Sequence, residues 1–191
     1  MNKRNNSKIK SMTLAGLLCA LGIMIPMVAP KFVLEPASFT LASHVPVFIA
    51  MFISPSIAIS VSLITGLGFL ISGFHLVIVL RAFTHVIFAA LGSFMLKKNG
   101  RIFLSFNSTV LYGILVSVVH AVCEVVVVAA FYWGNSMTDI YYEKGFLTSV
   151  ILLVGLGTVV HSLVDFSISL FVWKPLQHII TIPANAKVKI K

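Results

Sequence analysis

The chain has 191 residues, of which 10% are charged and 59% hydrophobic, and it carries a formal net charge of +9. Soluble domains run near ~25% charged and ~45–50% apolar, so this balance excludes an ordinary soluble domain and describes an integral membrane protein. The basic surplus is not a nucleic-acid surface either, because its residues flank apolar runs instead of forming a stripe interleaved with aromatics.

The length accommodates about five to seven helices of ~20 residues, so residues 1–191 read as a single membrane domain. The first predicted span, 12–29, follows Lys3, Arg4, Lys8 and Lys10. It runs past Pro26 without a small-x-small cleavage site and so reads as a retained helix. On it, Gly16 and Ala20 stand one turn apart, and Ala15 and Cys19 widen this strip of small residues, the kind of surface that lets another helix approach closely. Cys19 and Cys123 both lie in apolar runs with neither metal-ligand spacing nor a disulfide framework.

A polar connection containing Lys31, Phe32, Glu35 and Pro36 leads to a second predicted span, 38–53, in which Pro46 should kink or partly unwind the helix. Ser54-Pro55 closes that span, and Ser72-Gly73 separates a third, 56–71, from a fourth, 74–96. The basic residues Lys97, Lys98 and Arg101 follow. The fifth predicted span covers 108–133 and the sixth 146–173, with the polar stretch 134–145 between them as a water-facing loop. Of the fourteen Lys and Arg, all but Lys31, Lys144 and Arg81 then fall on the side that holds both termini. By the positive-inside rule the expectation is an all-α, six-helix bundle in the cell membrane with both termini cytoplasmic. No internal repeat divides the chain into two transporter halves.

Arg81 stands inside the fourth apolar run, roughly 10 Å from its outer end at ~1.5 Å per residue. An arginine there costs at least ~2.5–3.5 kcal/mol, which asks for a partner or an anion to hold. His85 shares its face one turn on. His120 and Glu124 form a second one-turn pair, His161 and Asp165 a third, and Glu124 is the natural partner for Arg81. The His161–Asp165 pair, expected near or below the midplane, reads chiefly as interhelical hydrogen bonding. The His120–Glu124 pair, nearer the outside, suits binding, a proton relay or packing. Phe32, Glu35, Ser38, Phe39, Thr40, Ser43 and His44 around the second span mix aromatic and hydrogen-bonding groups as a small-molecule pocket does. The histidines are scattered over different helices in no ligand spacing, and no nucleophile turn or P-loop occurs, so neither a metal, another cofactor nor catalysis is expected.

The six-span layout, the short basic termini and the strip Leu14-Ala15-Gly16-Leu17-Leu18-Cys19-Ala20-Leu21-Gly22 resemble the substrate-binding S-component of an energy-coupling factor vitamin transporter. The segment Leu34-Glu35-Pro36-Ala37-Ser38-Phe39-Thr40-Leu41-Ala42-Ser43-His44-Val45-Pro46, with Val79-Leu80-Arg81-Ala82, is similar to the niacin-specific branch, and a pantothenate-specific S-component is the runner-up. The resemblance implies high-affinity vitamin capture from outside, with a membrane coupling subunit and two cytoplasmic ATPases supplying the energy. It also implies that Ala15, Gly16, Cys19 and Ala20 face the coupling subunit. For a flat acid such as niacin, Arg81 is the candidate for the carboxylate, with Glu124 beside it. His85, His44 or His120 would meet the ring nitrogen, and Phe32, Phe39 or Trp133 would wall the slot. An autonomous proton-coupled carrier using the His–carboxylate pairs is the alternative from a different class.

Overall fold

The structure, a computed structural model, describes residues 3–34 and 37–188. It is built from helices whose outward faces are apolar. Leu111, Val126, Ile71 and Phe171 are among the many large aliphatic and aromatic side chains left exposed. A surface of this kind is stable only against hydrocarbon, and the chain is a largely helical membrane protein.

The first helix, α1 (Lys3–Val28), begins earlier than the sequence reading placed it. A two-stranded antiparallel hairpin follows, β1 (Lys31–Leu34) and β2 (Ala37–Thr40), with Phe32 opposite Phe39 and Lys31 opposite Thr40. The reading of an all-α membrane protein holds with this short hairpin added, but the span expected over 38–53 is not one helix. Residues 37–40 are extended, the chain turns at Ala42 with φ +64°, and only α2 (Val45–Ile53) is helical. Pro46 sits in the first turn of α2, where a missing N–H costs nothing, so it starts this helix instead of kinking it.

All nine residues of α2 are buried. At ~1.5 Å per residue the helix is roughly 14 Å long, under half of a ~30 Å hydrocarbon layer. It is thus a core element wrapped by longer helices. Phe48 and Phe52 pack with Phe88, Phe103, Phe166 and Trp173 at ring separations of 5.1–6.2 Å. The terminal carbonyls of so deeply buried a helix need donors. The C-terminal segment provides them, with the Asn185 and Ala186 amides donating to the Phe52 carbonyl at 3.0 and 2.9 Å.

Ser54 caps α3 (Pro55–Ile71) by accepting the Ile57 amide, and Gly73, at φ +76°, makes the turn into α4 (Leu76–Lys98), so both breaks lie where proline and glycine placed them. A short 3-10 turn (Ile102–Leu104) leads to α5 (Phe106–Trp133). The polar stretch beyond it, read as a loop, contains a short helix, α6 (Asp139–Glu143), whose Tyr141 is buried. The last helix opens with a π-helical stretch (Leu147–Leu156) and continues as α7 (Gly157–Ile179). Among the described residues, four helices are long and apolar enough to cross a membrane: 6–28, α4, α5 and the continuous 147–179. The 17 residues of α3 form a shorter apolar helix. Lys10 at the start of α1 donates to Thr181 at 3.0 Å, so the two ends of the described chain meet at one end of the bundle. The hairpin and the start of α2 lie at the other.

Candidate functional site

The segment between β2 and α2 dips into the bundle because Asp165 of α7 holds it there. Asp165 Oδ1 accepts the Ala42 amide at 2.8 Å, and Oδ2 accepts the His44 amide at 2.9 Å. The same Oδ2 stands 3.1 Å from His44 Nδ1, which orients the ring. Asp165 itself is fully buried. A buried carboxylate needs such partners, and here two of them are backbone groups that would otherwise go unpaired.

His44 is then the hub for the three one-turn pairs. Its ring centroid lies 4.8 Å from that of His85 on α4, 4.6 Å from His120 on α5 and 5.0 Å from His161 on α7. Ser43 adds a hydroxyl 3.1 Å from His161 Nε2. Between α4 and α5, Arg81 Nη2 donates to Glu124 Oε2 at 2.7 Å, and Thr158 of α7 donates to the same oxygen at 2.8 Å. The other oxygen, Oε1, stands 3.4 Å from His120 Nε2 and 3.7 Å from His85 Nε2. The Arg81 Nε and both of these imidazole nitrogens have no hydrogen-bond partner among the described residues.

A cavity of about 130 Å³ opens above this cluster, lined by Arg81, Glu124, His44, His85, His161 and Ser43, with Lys31, Thr40 and Thr65 adding polar groups. Its aromatic walls are Phe39, Phe69 and Phe74. Phe69 and Phe74 stack at 4.6 Å, and Phe39 leans on Gly157, where a Cβ would stand 2.5 Å from its ring tip.

Of the residues singled out from the sequence, Arg81, His85, His44, Glu124 and Phe39 line this cavity, and His120 lies buried directly beneath it. Trp133 does not reach it. At the far end of α5 it is 73% exposed and stacks on Phe146 at 5.1 Å. Phe32, paired with Phe39 on the same face of the hairpin, does not line this cavity and borders an adjoining apolar groove against α7 that Phe39 also lines. Glu35 lies outside the described residues. His161 and Asp165, read chiefly as interhelical hydrogen-bonding groups, do make such bonds, and they also belong to this cluster. The segment carrying His44 descends to meet them, and His161 lines the same cavity as Arg81.

Thr65, Phe69, Phe74 and Thr158 went unnoticed in the sequence, since hydroxyls and phenylalanines are ordinary in apolar helices. The small-residue strip also divides. Gly16 and Ala20 are exposed, whereas Cys19 is buried in the core and Ala15 packs partly against it, because one residue of helix turns a side chain by about 100°.

Over 171 residues, 89% of the chain, the sequence is 40% identical to the niacin transporter NiaX of Lactococcus lactis subsp. cremoris (strain MG1363), and the match spans 76% of that protein. The chain belongs to the NiaX family. The likeness carried by residues 34–46 and by Val79-Leu80-Arg81-Ala82 is borne out by this membership. No family model matches the chain, and no solved structure does.

Proposed function

We propose that this protein is the niacin-binding S-component of an energy-coupling factor importer, with Arg81 holding the vitamin's carboxylate. The observation that carries the reading is the geometry of Arg81 in a chain 40% identical to a niacin transporter. Its guanidinium faces the cavity, spends one N–H on Glu124 and keeps its Nε unpartnered among the described residues. A planar fork with free N–H groups suits a carboxylate. His44, His85 or His161 meets the ring nitrogen, and Phe39 with the stacked Phe69 and Phe74 covers the ring faces. A cavity of about 130 Å³ suits a flat single-ring acid better than the longer, flexible pantothenate.

In this reading the chain crosses the membrane six times, with the short α2 counted as one crossing together with the hairpin, and both termini are cytoplasmic. The Lys10–Thr181 bond and the basic α4–α5 connection support that sidedness. Gly16 and Ala20 dock a membrane coupling subunit, and two cytoplasmic ATPases supply the energy. Calorimetry on the purified chain tests the assignment. Niacin binds far more tightly than nicotinamide, which keeps the ring and loses the anion, and more tightly than pantothenate. Equal affinity for niacin and nicotinamide sinks the role of Arg81, and uptake by the chain alone under a pH gradient makes it an autonomous carrier instead.

A further inference from the structure

We propose that His44, His85, His120 and Glu124 bind a divalent transition-metal ion of the zinc class at the floor of the cavity. Each offers one ligand atom, and these atoms all lie within 4.8 Å of one another. Around zinc, with bonds of ~2.0–2.1 Å, tetrahedral ligand atoms stand roughly 3.3 Å apart. The 3.4 Å from Glu124 Oε1 to His120 Nε2 already meets that spacing, and the 3.7 Å to His85 Nε2 needs only a slight ring movement.

Two independent features point to an ion. His120 Nε2 and His85 Nε2 are buried without hydrogen-bond partners among the described residues, although both stand within 3.7 Å of the same carboxylate oxygen. Buried nitrogens without a partner are costly, and a shared cation satisfies both. The second feature lies behind the ligands. Metal-binding imidazoles commonly give their other ring nitrogen to an orienting partner. His44 Nδ1 has Asp165 at 3.1 Å and His120 Nδ1 has Ser162 at 3.3 Å, which leaves both Nε2 atoms for the ion. Glu124 is held on Oε2 by Arg81 and Thr158 and keeps Oε1 free. Asp165 is an orienting group and not a ligand here, since its oxygens are committed to the Ala42 and His44 amides. Three imidazoles and one carboxylate in four-coordinate geometry favour zinc or cobalt over magnesium or calcium.

The ion also changes the charge of the pocket. With neutral imidazoles, the buried ionised groups are Arg81, Glu124 and Asp165, which sum to −1, and Lys31 adds its charge only at the exposed mouth. A divalent ion turns the buried sum to +1, the sign that receives an organic anion. This last step rests on the niacin reading, whereas the metal site does not.

The test uses the tag-free full-length chain in detergent, stripped with a chelator and reloaded with Zn²⁺ or Co²⁺. Mass spectrometry of the desalted protein should find one zinc per chain, and cobalt should give the intense visible bands of a tetrahedral site. His120→Gln removes a ligand and should weaken zinc binding at least about tenfold, and Ser162→Ala, which removes only an orienting hydroxyl, about 10–100-fold. A cooperatively melting wild-type chain that keeps no zinc overturns the proposal, as does zinc retained unchanged in both variants. Niacin affinity measured with and without Zn²⁺ is a separate readout. Zinc bound without any niacin binding overturns the vitamin assignment and leaves the metal site standing.

Discussion

Arg81 of α4 and Glu124 of α5 meet at 2.7 Å in the interior, and the pair does two things that can be separated. It joins two helices, and it leaves the guanidinium facing the cavity.

Breaking a buried pair by removing one member typically costs ~3–5 kcal/mol, because the other charge is stranded, while replacing both by apolar groups of similar size is often tolerated. Arg81→Met should therefore lower the melting temperature, and Arg81→Met with Glu124→Met should recover most of it. Niacin binding should stay at least about tenfold weaker in both, since a charged hydrogen bond worth ~1.5–3 kcal/mol has gone. Calorimetry in which the double variant regains wild-type affinity would reduce Arg81 to a structural tie. Arg81→Lys should restore binding only in part, because an ammonium lacks the planar fork.

Asp165 accepts the Ala42 and His44 amides and touches the His44 ring. Asp165→Ala strands the buried His44 amide, at about 1–3 kcal/mol, and the half-buried Ala42 amide at less, and releases the segment that carries His44. Thermal unfolding should show a clear loss for Asp165→Ala and a smaller one for Asp165→Asn, which keeps one acceptor. Equal melting of the two variants would mean that water or another group serves those amides.

Gly157 leaves room for the Phe39 ring against α7. Gly157→Val should push that ring from its place, at ~1–3 kcal/mol of overpacking, and should weaken niacin binding. Phe39→Ala relieves the clash, so the two substitutions together should cost less than the sum of their separate effects on stability. Strict additivity would show that the ring does not rest on Gly157.

Among the described residues, nothing stands within 4 Å of a Cβ built on Gly16. Gly16→Trp and Ala20→Trp should thus leave niacin binding by the solitary chain unchanged while abolishing uptake in cells that hold the partner subunits, because bulk there blocks close helix approach. Cys19→Trp, by contrast, should damage the fold itself, since that side chain points into the core. Normal uptake with Gly16→Trp would remove this face from docking.

Much of the chain follows from local rules. Membrane class follows from composition, the breaks at Ser54-Pro55 and Gly73 from backbone chemistry, and the shared faces of Arg81 with His85, His120 with Glu124 and His161 with Asp165 from the 3.6-residue turn. Each is a property of a short stretch, decided before any long-range contact forms. What joins them is not local. Whether residues 37–40 extend or coil depends on pairing with β1, and whether Ala15 or Gly16 faces inward depends on which helix packs against α1. His44 becomes the hub because a carboxylate 121 residues away in sequence binds its backbone and ring together. Scattered imidazoles carry no ligand spacing along the chain, so only the packing of α4, α5 and α7 around that segment could bring three of them within reach of His44.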